Sequence, residues 1–379
     1  MVSVVLRPEA SLALACSCSQ RTIRLLSALF FFTLTCFSTA PANALVILRY
    51  SEISQTAAGT ESTPLNVFKE HLAMIEASGL KVVALEDVTK PLRRRKSPPD
   101  NAVLITFDGS HRSIHDTAYP LLKERGWPFV VFASVRAVGD GNQALTWEQL
   151  KAMTRNGAAI ANNSMHHPHF VQRSPGMDMD TWRNLAKREV LTAEAKIRLT
   201  TGEDHKVLAF PFGEYDEQLL SVLKSIDFLG VSLAEGAVRE EDSLAMPRFS
   251  MTGANADVTL FAAKLRALPL PLDKLQLRDQ EGDRLNDLLL AAEVDRPILE
   301  LKLEDSALAD TLTCYLGNDA GPMSMTVDGR WVRIQSEQPI PMGKTHYHCT
   351  AKAASGDRSH WFTQPLLRSG TDGVYTPGA

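Results

Sequence analysis

The chain has 379 residues, which is long enough for a large hydrophobic core and for more than one domain. Its hydrophobic content of 44% and charged content of 22% are typical of a globular protein. The 40 basic and 44 acidic side chains give a formal net charge of −4, and no long basic run is present. This balance argues against nucleic acid as a partner.

The amino terminus has the features of a secretory signal peptide. Arg21 and Arg24 precede an apolar run at 25–37, and Ala42-Asn43-Ala44 then provides an A-x-A cleavage site. The apolar run is shorter than the about 20 residues that a bilayer-spanning helix needs. We therefore predict a signal peptide over residues 1–44, no transmembrane segment after its removal, and a periplasmic or secreted protein. Translation starting nearer Arg21 is an alternative.

The cysteines divide between the two ends of the chain. Cleavage after residue 44 would remove Cys16, Cys18 and Cys36, of which Cys36 offers the alternative of a lipoprotein site. The mature chain would keep Cys314 and Cys349, both in the carboxyl-terminal segment. In an exported protein this predicts one disulfide, and two unlinked buried thiols are the alternative.

Apolar, β-branched runs alternate with amphipathic segments from residue 45 to about residue 270. We predict strands at 45–50, 81–85, 103–107, 128–134, 158–161, 207–210 and 228–232. We predict helices at 64–77, 114–125, 147–155, 180–200, 217–225 and 255–267, and a polar loop at 90–101. This alternation indicates an α/β fold with a parallel sheet and right-handed crossovers.

The pattern changes after Leu268-Pro269-Leu270-Pro271. Short strands are predicted at 298–303, 311–316, 323–327, 331–335, 346–351 and 360–362, separated by turn residues. We therefore divide the mature chain into an α/β domain, 45–271, and a linker with a small β-sandwich domain, 272–379, which contains Cys314 and Cys349. The aromatic residues Trp331, Tyr347, Trp361 and Phe362 either stack on sugars or form the core of that domain.

Three motifs follow strand ends. The first is Thr-Phe-Asp-Gly-Ser-His-Arg-Ser at 106–113, followed by Ala-Tyr-Pro-Leu-Leu-Lys at 118–123. The second is Asn-Asn-Ser-Met-His-His-Pro at 162–168, and the third is Phe-Pro-Phe-Gly-Glu-Tyr-Asp at 210–216. Together and in this order they resemble the motifs of the polysaccharide deacetylases, the NodB-homology proteins of carbohydrate esterase family 4. The resemblance covers roughly residues 45–270. It implies a distorted (β/α) barrel, an N-acetylated polysaccharide as ligand and a divalent, zinc-like metal.

The resemblance also assigns roles, position by position. It implies that Asp108 is the catalytic base, and that the metal-binding aspartate of the family corresponds to Gly109. The first metal histidine corresponds to Asn163, a weak neutral oxygen donor, and His167 is the one metal ligand that remains. The arginine that often opens the third motif corresponds to Ala209, and residues 230–236, where the family has an acid histidine, contain none.

The remaining candidates lie around the groove that the family uses. We predict that Pro211, Phe212, Gly213 and Arg248 line it. Arg248 either pairs with Asp108 or is an ordinary surface arginine.

Three functions are compatible with these residues. Disturbing even a residue that supports a metal ligand typically costs 10–100-fold in activity or metal affinity, so the loss of two ligands predicts a glycan-binding protein that has lost catalysis. The second hypothesis is an active hydrolase of amide bonds on acetylated amino sugars. It would use a displaced metal bound by Asp108, His167 and a histidine of the clusters His111/His115 or His166/His169. The third is a structural envelope protein that docks a protein partner.

Overall fold

A parallel sheet with helices packed against it forms the first part of the fold. The computed structural model describes residues 44–55, 59–317, 321–354 and 356–377, and the predicted signal peptide up to Asn43 lies outside these ranges. Within them, eight parallel strands pair in the order β10-β1-β5-β6-β7-β8-β9, with β4 added to β5. The strands are β1 Leu45–Tyr50, β4 Lys81–Val82, β5 Ala102–Asp108, β6 Phe129–Ala133, β7 Ala158–Asn162, β8 Val207–Ala209, β9 Leu229–Val231 and β10 Phe249–Ser250. This curved sheet is the predicted (β/α) barrel.

Helices follow most of these strands. They are α1 Leu65–Ser78, α2 Leu85–Arg93, α3 Tyr119–Glu124, α4 Trp147–Thr154, α5 Met179–Thr201, α6 Glu217–Ser225 and α7 Val258–Leu265, and a short parallel pair, β2 Glu52–Ser54 with β3 Ser62–Pro64, precedes α1. The caps agree with the sequence: Thr146 Oγ1 accepts the Gln149 amide at the start of α4, and Gly79 ends α1 in the left-handed conformation. Of the helices within the described ranges, none has the length and apolar character needed to cross a bilayer.

The two faces of the sheet are filled by different side chains because strand residues alternate with a period of two. Along β1, Val46, Leu48 and Tyr50 pack with α1 in one core cluster. Leu45 and Ile47 belong to a second cluster on the other face. Arg49 is four residues from Leu45 and therefore lies on the same face of β1. Asp108, at the end of β5, is six residues from Ala102 of the second cluster and therefore lies on the same face of β5. Strand geometry therefore directs both charged side chains toward the interior of the barrel.

Several predicted segments differ from the structure. The strand predicted at 81–85 is limited to Lys81–Val82, and the loop predicted from residue 90 begins inside helix α2. Leu85, Val88, Thr89 and Leu92 form the buried face of that helix. Their i, i+3, i+4, i+7 spacing is the signature of an amphipathic helix, but Pro91 near its end suggested a loop. The last helix of the barrel starts at Val258 instead of residue 255, because a short 3₁₀ turn, Gly253–Ala256, precedes it.

The carboxyl-terminal region consists of two further sheets. Among the described residues, one sheet pairs β11-β20-β19-β16 with β14 beside β20, and the other pairs β13-β12-β15-β18-β17. The strands are β11 Leu268–Pro269, β12 Leu272–Arg278, β13 Arg284–Leu285, β14 Leu289–Leu290, β15 Ile298–Leu303, β16 Thr313–Leu316, β17 Met325–Asp328, β18 Trp331–Gln335, β19 Gly343–Lys352 and β20 Ser359–Arg368. Apolar side chains from both sheets share one core, as the predicted sandwich requires. The sequence analysis did not predict the first four of these strands, β11, β12, β13 and β14.

The predicted disulfide between Cys314 and Cys349 is present. The two residues face each other across the antiparallel pair β16 and β19, and both side chains are fully buried. Tyr347 and Phe362 are core residues of the same region, whereas Trp331 and Trp361 are partly exposed. Of the predicted turns here, Asp328-Gly329 joins β17 to β18, and the turn at 317–319 lies largely outside the described ranges.

Candidate functional site

An aspartate paired with two arginines lies near the carboxyl ends of β1 and β5, where Arg248 directly precedes β10. Arg248 donates to both carboxylate oxygens of Asp108, with distances of 2.6 Å from Nη1 to Oδ1 and 2.7 Å from Nη2 to Oδ2. Arg49 donates from Nε to Oδ2 at 3.3 Å. Arg248 therefore lies next to Asp108 and has no exposed surface, so the alternative of a surface arginine is excluded.

Each arginine is held by further acceptors. Arg248 Nε donates to the Ser232 carbonyl oxygen at 2.9 Å, and its guanidinium lies 5.3 Å from the centre of the Phe132 ring. Arg49 contacts Glu61 at 2.7 Å and donates to Thr252 Oγ1 at 3.3 Å. Sequence reasoning missed Arg49 because its partners are distant in the chain. The signal was a charged residue within an otherwise apolar strand.

The two arginines determine the charge state of Asp108. Burial of the carboxyl group raises its pKa, but the opposing charges and hydrogen bonds of Arg248 and Arg49 lower it by more. The pKa of Asp108 therefore lies below its ordinary value of 3.8. A carboxylate with a lowered pKa is a poor general base near neutral pH.

This shift predicts how the stability of the protein depends on pH. Because folding lowers the pKa of Asp108, its contribution to the free energy of unfolding is fully present above pH 3.8 and is lost as the pH falls further. We expect the stability difference between the wild type and Asp108→Asn to be constant from neutral pH to about pH 5 and to shrink below pH 4. Denaturant titrations at several pH values measure it. A difference that stays constant down to pH 2 would contradict the lowered pKa.

A groove of about 700 Å³ opens in front of Asp108. Its floor and walls include Arg49, Asp108, His111, Asn163 and His167. Burial lowers the pKa of both His111 and His167 below the ordinary value of 6.5. Both imidazoles are therefore predominantly neutral at pH 7. A groove of this size is typical of small-molecule sites in proteins.

Two of the three positions to which the resemblance assigns metal ligands, 109 and 163, lack the corresponding side chains. Gly109 has no side chain and a φ of +92°, and a Cβ added there would lie 3.3 Å from Cδ2 of His111, which is a close contact. Asn163 donates from Nδ2 to the Ala209 carbonyl oxygen at 2.9 Å, and its buried Oδ1 has no partner among the described residues.

The fit to a divalent cation is therefore poor. Both oxygens of Asp108 are engaged by guanidinium groups, and His167 remains as the only one of the three family ligand positions that still carries a metal-binding side chain. Across the described ranges, no group of three or more His, Cys, Asp or Glu side chains is placed to hold a metal ion. A cation bound here in the manner of the family would lack its anionic ligand.

Three other predicted histidines contact carboxylates other than Asp108 and do not line the groove. His115 contacts Asp116 at 2.8 Å, and His166 contacts Glu189 at 2.9 Å. His169 contacts Glu214 at 2.7 Å, and Glu214 also accepts the hydroxyl of Tyr375 at 2.9 Å. The structure thus brings His111 and His167, but not these three histidines, to the groove wall beside Asp108.

Of the four residues predicted to line the groove, Phe212 lines it, and Pro211, Gly213 and Arg248 do not. Phe212 lines the groove, and its ring stacks on His169 at 3.7 Å and meets His167 edge-on at 4.6 Å. Pro211 is buried, and Arg248 lies behind Asp108. Gly213 is buried as well, and an added Cβ would lie 2.7 Å from Leu233, so the chain requires glycine there.

Lys344 reaches the groove from the carboxyl-terminal sheet, which the sequence did not suggest. Its Nζ donates to the carbonyl oxygen of Phe212 at 2.7 Å. Phe212 has a φ of +58°, in the left-handed region that non-glycine residues rarely adopt. The contact with Lys344 fixes the backbone that presents the Phe212 ring to the groove.

The aspartate, the two arginines and the neutral imidazoles lie at the carboxyl edge of the barrel strands, which is where (β/α) barrels place their active sites. The family model described as polysaccharide deacetylase matches residues 95–231. All three motifs lie within this match, so their resemblance to the polysaccharide deacetylases is confirmed.

Similar proteins support this assignment. YxkH of Bacillus subtilis strain 168, which bears the polysaccharide deacetylase name, is 25% identical over 201 residues, covering 53% of this chain and 68% of that protein. The poly-β-1,6-N-acetyl-D-glucosamine N-deacetylase of Staphylococcus epidermidis is 24% identical, covering 48% of this chain and 65% of that protein. The enzyme of the same name from Escherichia coli K12 is 22% identical, and the match covers 71% of this chain and 47% of that protein. The match thus spans from about half to about two thirds of the length of these relatives.

Solved structures agree on the fold. IcaB from Ammonifex degensii superposes with a TM-score of 0.51 at 22% identity, covering 59% of this chain and 97% of that one. The Streptococcus pyogenes deacetylase PplD, solved in complex with acetate, superposes with a TM-score of 0.50 at 21% identity. The superposition covers 56% of this chain and 93% of the PplD chain. At this level of identity the likeness shows a shared barrel.

Proposed function

We propose that this protein is exported to the periplasm or the cell exterior and there binds an N-acetylated polysaccharide without metal-dependent hydrolysis. The observation that carries the proposal is the state of Asp108, whose two oxygens are engaged by Arg248 and Arg49. The neighbouring metal positions carry Gly109 and Asn163. The domain keeps the groove of its family, while the groups that would bind and activate a metal-bound water are replaced.

The groove offers groups that suit a sugar carrying an acetamido group. The ring of Phe212, which is 40% exposed, provides an apolar platform. Arg49 and the neutral imidazoles of His111 and His167 provide hydrogen-bonding atoms for hydroxyl and carbonyl groups. The relatives named for poly-β-1,6-N-acetyl-D-glucosamine suggest that polymer as the first ligand to test.

Binding and turnover are tested together. We expect the purified mature protein to contain less than stoichiometric zinc, to release no acetate from β-1,6-linked N-acetylglucosamine oligomers with zinc added, and to bind these oligomers in calorimetry. Phe212→Ala is expected to weaken binding by about tenfold, equivalent to about 1.4 kcal/mol, because it removes the platform. Leu199→Ala is the matched control, since Leu199 is 83% exposed on α5.

The outcomes separate this proposal from its rivals. Stoichiometric zinc together with acetate release that Asp108→Asn abolishes would overturn it. The absence of glycan binding, with a stable protein complex recovered from the envelope, would instead favour a structural role.

The second candidate is the hydrolase with a displaced metal. It is favoured by one observation: His111, His167 and the unpartnered Oδ1 of Asn163 lie along the same groove. Imidazole nitrogens suit zinc, and an amide oxygen could complete a weak site. This candidate requires that both histidine variants, His111→Ala and His167→Ala, lose zinc as well as acetate release.

A further inference from the structure

A second cavity adjoins the groove on the side of the carboxyl-terminal sheets. It has a volume of about 580 Å³ and is lined by Glu235, Asn255, Thr345, His346 and His348. We call this cavity the annex. Leu233 and Lys344 line both the groove and the annex, so the two cavities lie side by side.

Strand β19 supplies the polar wall of the annex. Its odd-numbered residues from Thr345 to Ala351 are buried, and Tyr347, Cys349 and Ala351 belong to the core of the carboxyl-terminal region. Because side chains alternate along a strand, Lys344, His346 and His348 share the opposite face. All three line the annex, which places one ammonium and two imidazole groups in a row.

The hydrogen bonds of His348 define its tautomer. Thr363 Oγ1 donates its single proton to the Glu235 carbonyl oxygen at 2.7 Å, so it must accept from Nδ1 of His348, which lies at 2.9 Å. Burial lowers the pKa of His348 to about 4, and the ring is therefore neutral at pH 7. A neutral ring protonated at Nδ1 keeps a lone pair on Nε2, which can accept a hydrogen bond from a ligand hydroxyl or amide N–H.

The charges of the annex disfavour a cationic ligand. The carboxylate of Glu235 is paired with the nearly buried Lys264 at 2.7 Å. The ammonium group of Lys344, which donates to the Phe212 carbonyl oxygen, adds a positive charge at the border of the two cavities. The remaining polar groups that line the cavity are uncharged at neutral pH. A neutral chain rich in hydroxyl groups meets these conditions, and a polymer of free glucosamine, which carries ammonium groups, does not.

We propose that the annex binds further sugar units of the same N-acetylated polysaccharide that occupies the groove, so that the carboxyl-terminal sheet lengthens the binding site for polymers. This inference rests on the proposed function. It predicts that affinity rises with chain length and that the gain depends on the face of β19 that carries His346 and His348.

The test compares a disaccharide with a hexasaccharide of β-1,6-linked N-acetylglucosamine in calorimetry. The wild type is expected to bind the hexasaccharide more tightly. His348→Phe keeps a ring against Trp361, whose centre lies 5.1 Å away, and removes the Nε2 acceptor. It is expected to weaken hexasaccharide binding by about three- to tenfold, the effect of one hydrogen bond, and to leave disaccharide binding unchanged.

Two further variants and one further ligand complete the design. His346→Ala tests the same face independently, should His348→Phe fail to fold. His205→Phe is the matched control, because His205 is half-buried just before β8, at the opposite end of the barrel strands. A fully deacetylated hexasaccharide is expected to bind more weakly than the acetylated one.

The possible failures are distinguishable. Equal affinity of the wild type for both chain lengths, or an equal loss for both chain lengths in His348→Phe and His346→Ala, would overturn the annex and leave the groove proposal intact. No binding of either oligomer by the wild type would overturn the proposed function and this inference together.

Discussion

Replacing Arg248 by methionine is expected to lower the free energy of unfolding by about 3–5 kcal/mol. Arg248 is fully buried and donates to both oxygens of Asp108 and to the carbonyl oxygen of Ser232. Its removal leaves a carboxylate in the barrel interior with Arg49 as its remaining charged partner, at the longer distance of 3.3 Å. A buried charge that loses its closest partner retains its desolvation penalty. Urea or guanidinium titrations followed by circular dichroism measure the change.

The matched control is Arg266→Met. Arg266 pairs with Asp357, and both side chains are more than half exposed. An exposed ion pair contributes about 0–1 kcal/mol, so the control should remain close to the wild type. A loss in Arg248→Met as small as that of the control would show that the pair with Asp108 does not stabilise the fold.

A double-variant cycle isolates the contact itself. Asp108→Asn and Arg248→Met remove the two partners of one bidentate pair, so their effects should not add. We expect the double variant to be less destabilised than the sum of the single variants. Strictly additive losses would mean that each residue acts through other contacts, such as those of Arg248 with Ser232 and Phe132.

Local sequence patterns predicted those parts of the fold whose structure is determined locally. The strands at 45–50, 298–303 and 331–335 and the helix at 217–225 begin and end at the predicted residues. Their limits are marked by apolar periodicity and by turn or capping residues, such as Asp216, which accepts the Leu219 amide at the start of α6. Helix α2 shows the limit of this reasoning, because Pro91 favours a loop, whereas the helical spacing of four buried positions, one of them Thr89, predicts a helix.

The candidate site could be predicted only in part because most of its contacts are distant in sequence. Motif spacing identified Asp108, Asn163, His167 and Phe212, which all line one groove. It did not identify Arg49, which is 59 residues from Asp108, or Lys344, which is 132 residues from Phe212. The register of parallel strands and the packing of a second sheet create these contacts, and no short pattern in the sequence encodes them.

Removing the disulfide is the second large effect that we expect. The bond between Cys314 and Cys349 closes a loop of 35 residues, for which the chain-entropy relation gives a stabilisation of about 4 kcal/mol. The double variant Cys314→Ala/Cys349→Ala should lose a stability close to this value. Two alanines avoid leaving a free thiol, and dithiothreitol, which should destabilise the wild type, should have no effect on the variant.

The place where stability is lost tests the proposed division of the mature chain at residues 271 and 272. Both cysteines lie in the core of the carboxyl-terminal sheets, so amide hydrogen exchange should accelerate in β16, β19 and β20. Exchange in β5 and β6, within the barrel, should remain slow if 45–271 is a domain with a core of its own. Equal acceleration in β5 would show one cooperative unit. In that case the pairing of β11 with β20, which joins Leu268 to His360, would be the link between the two regions.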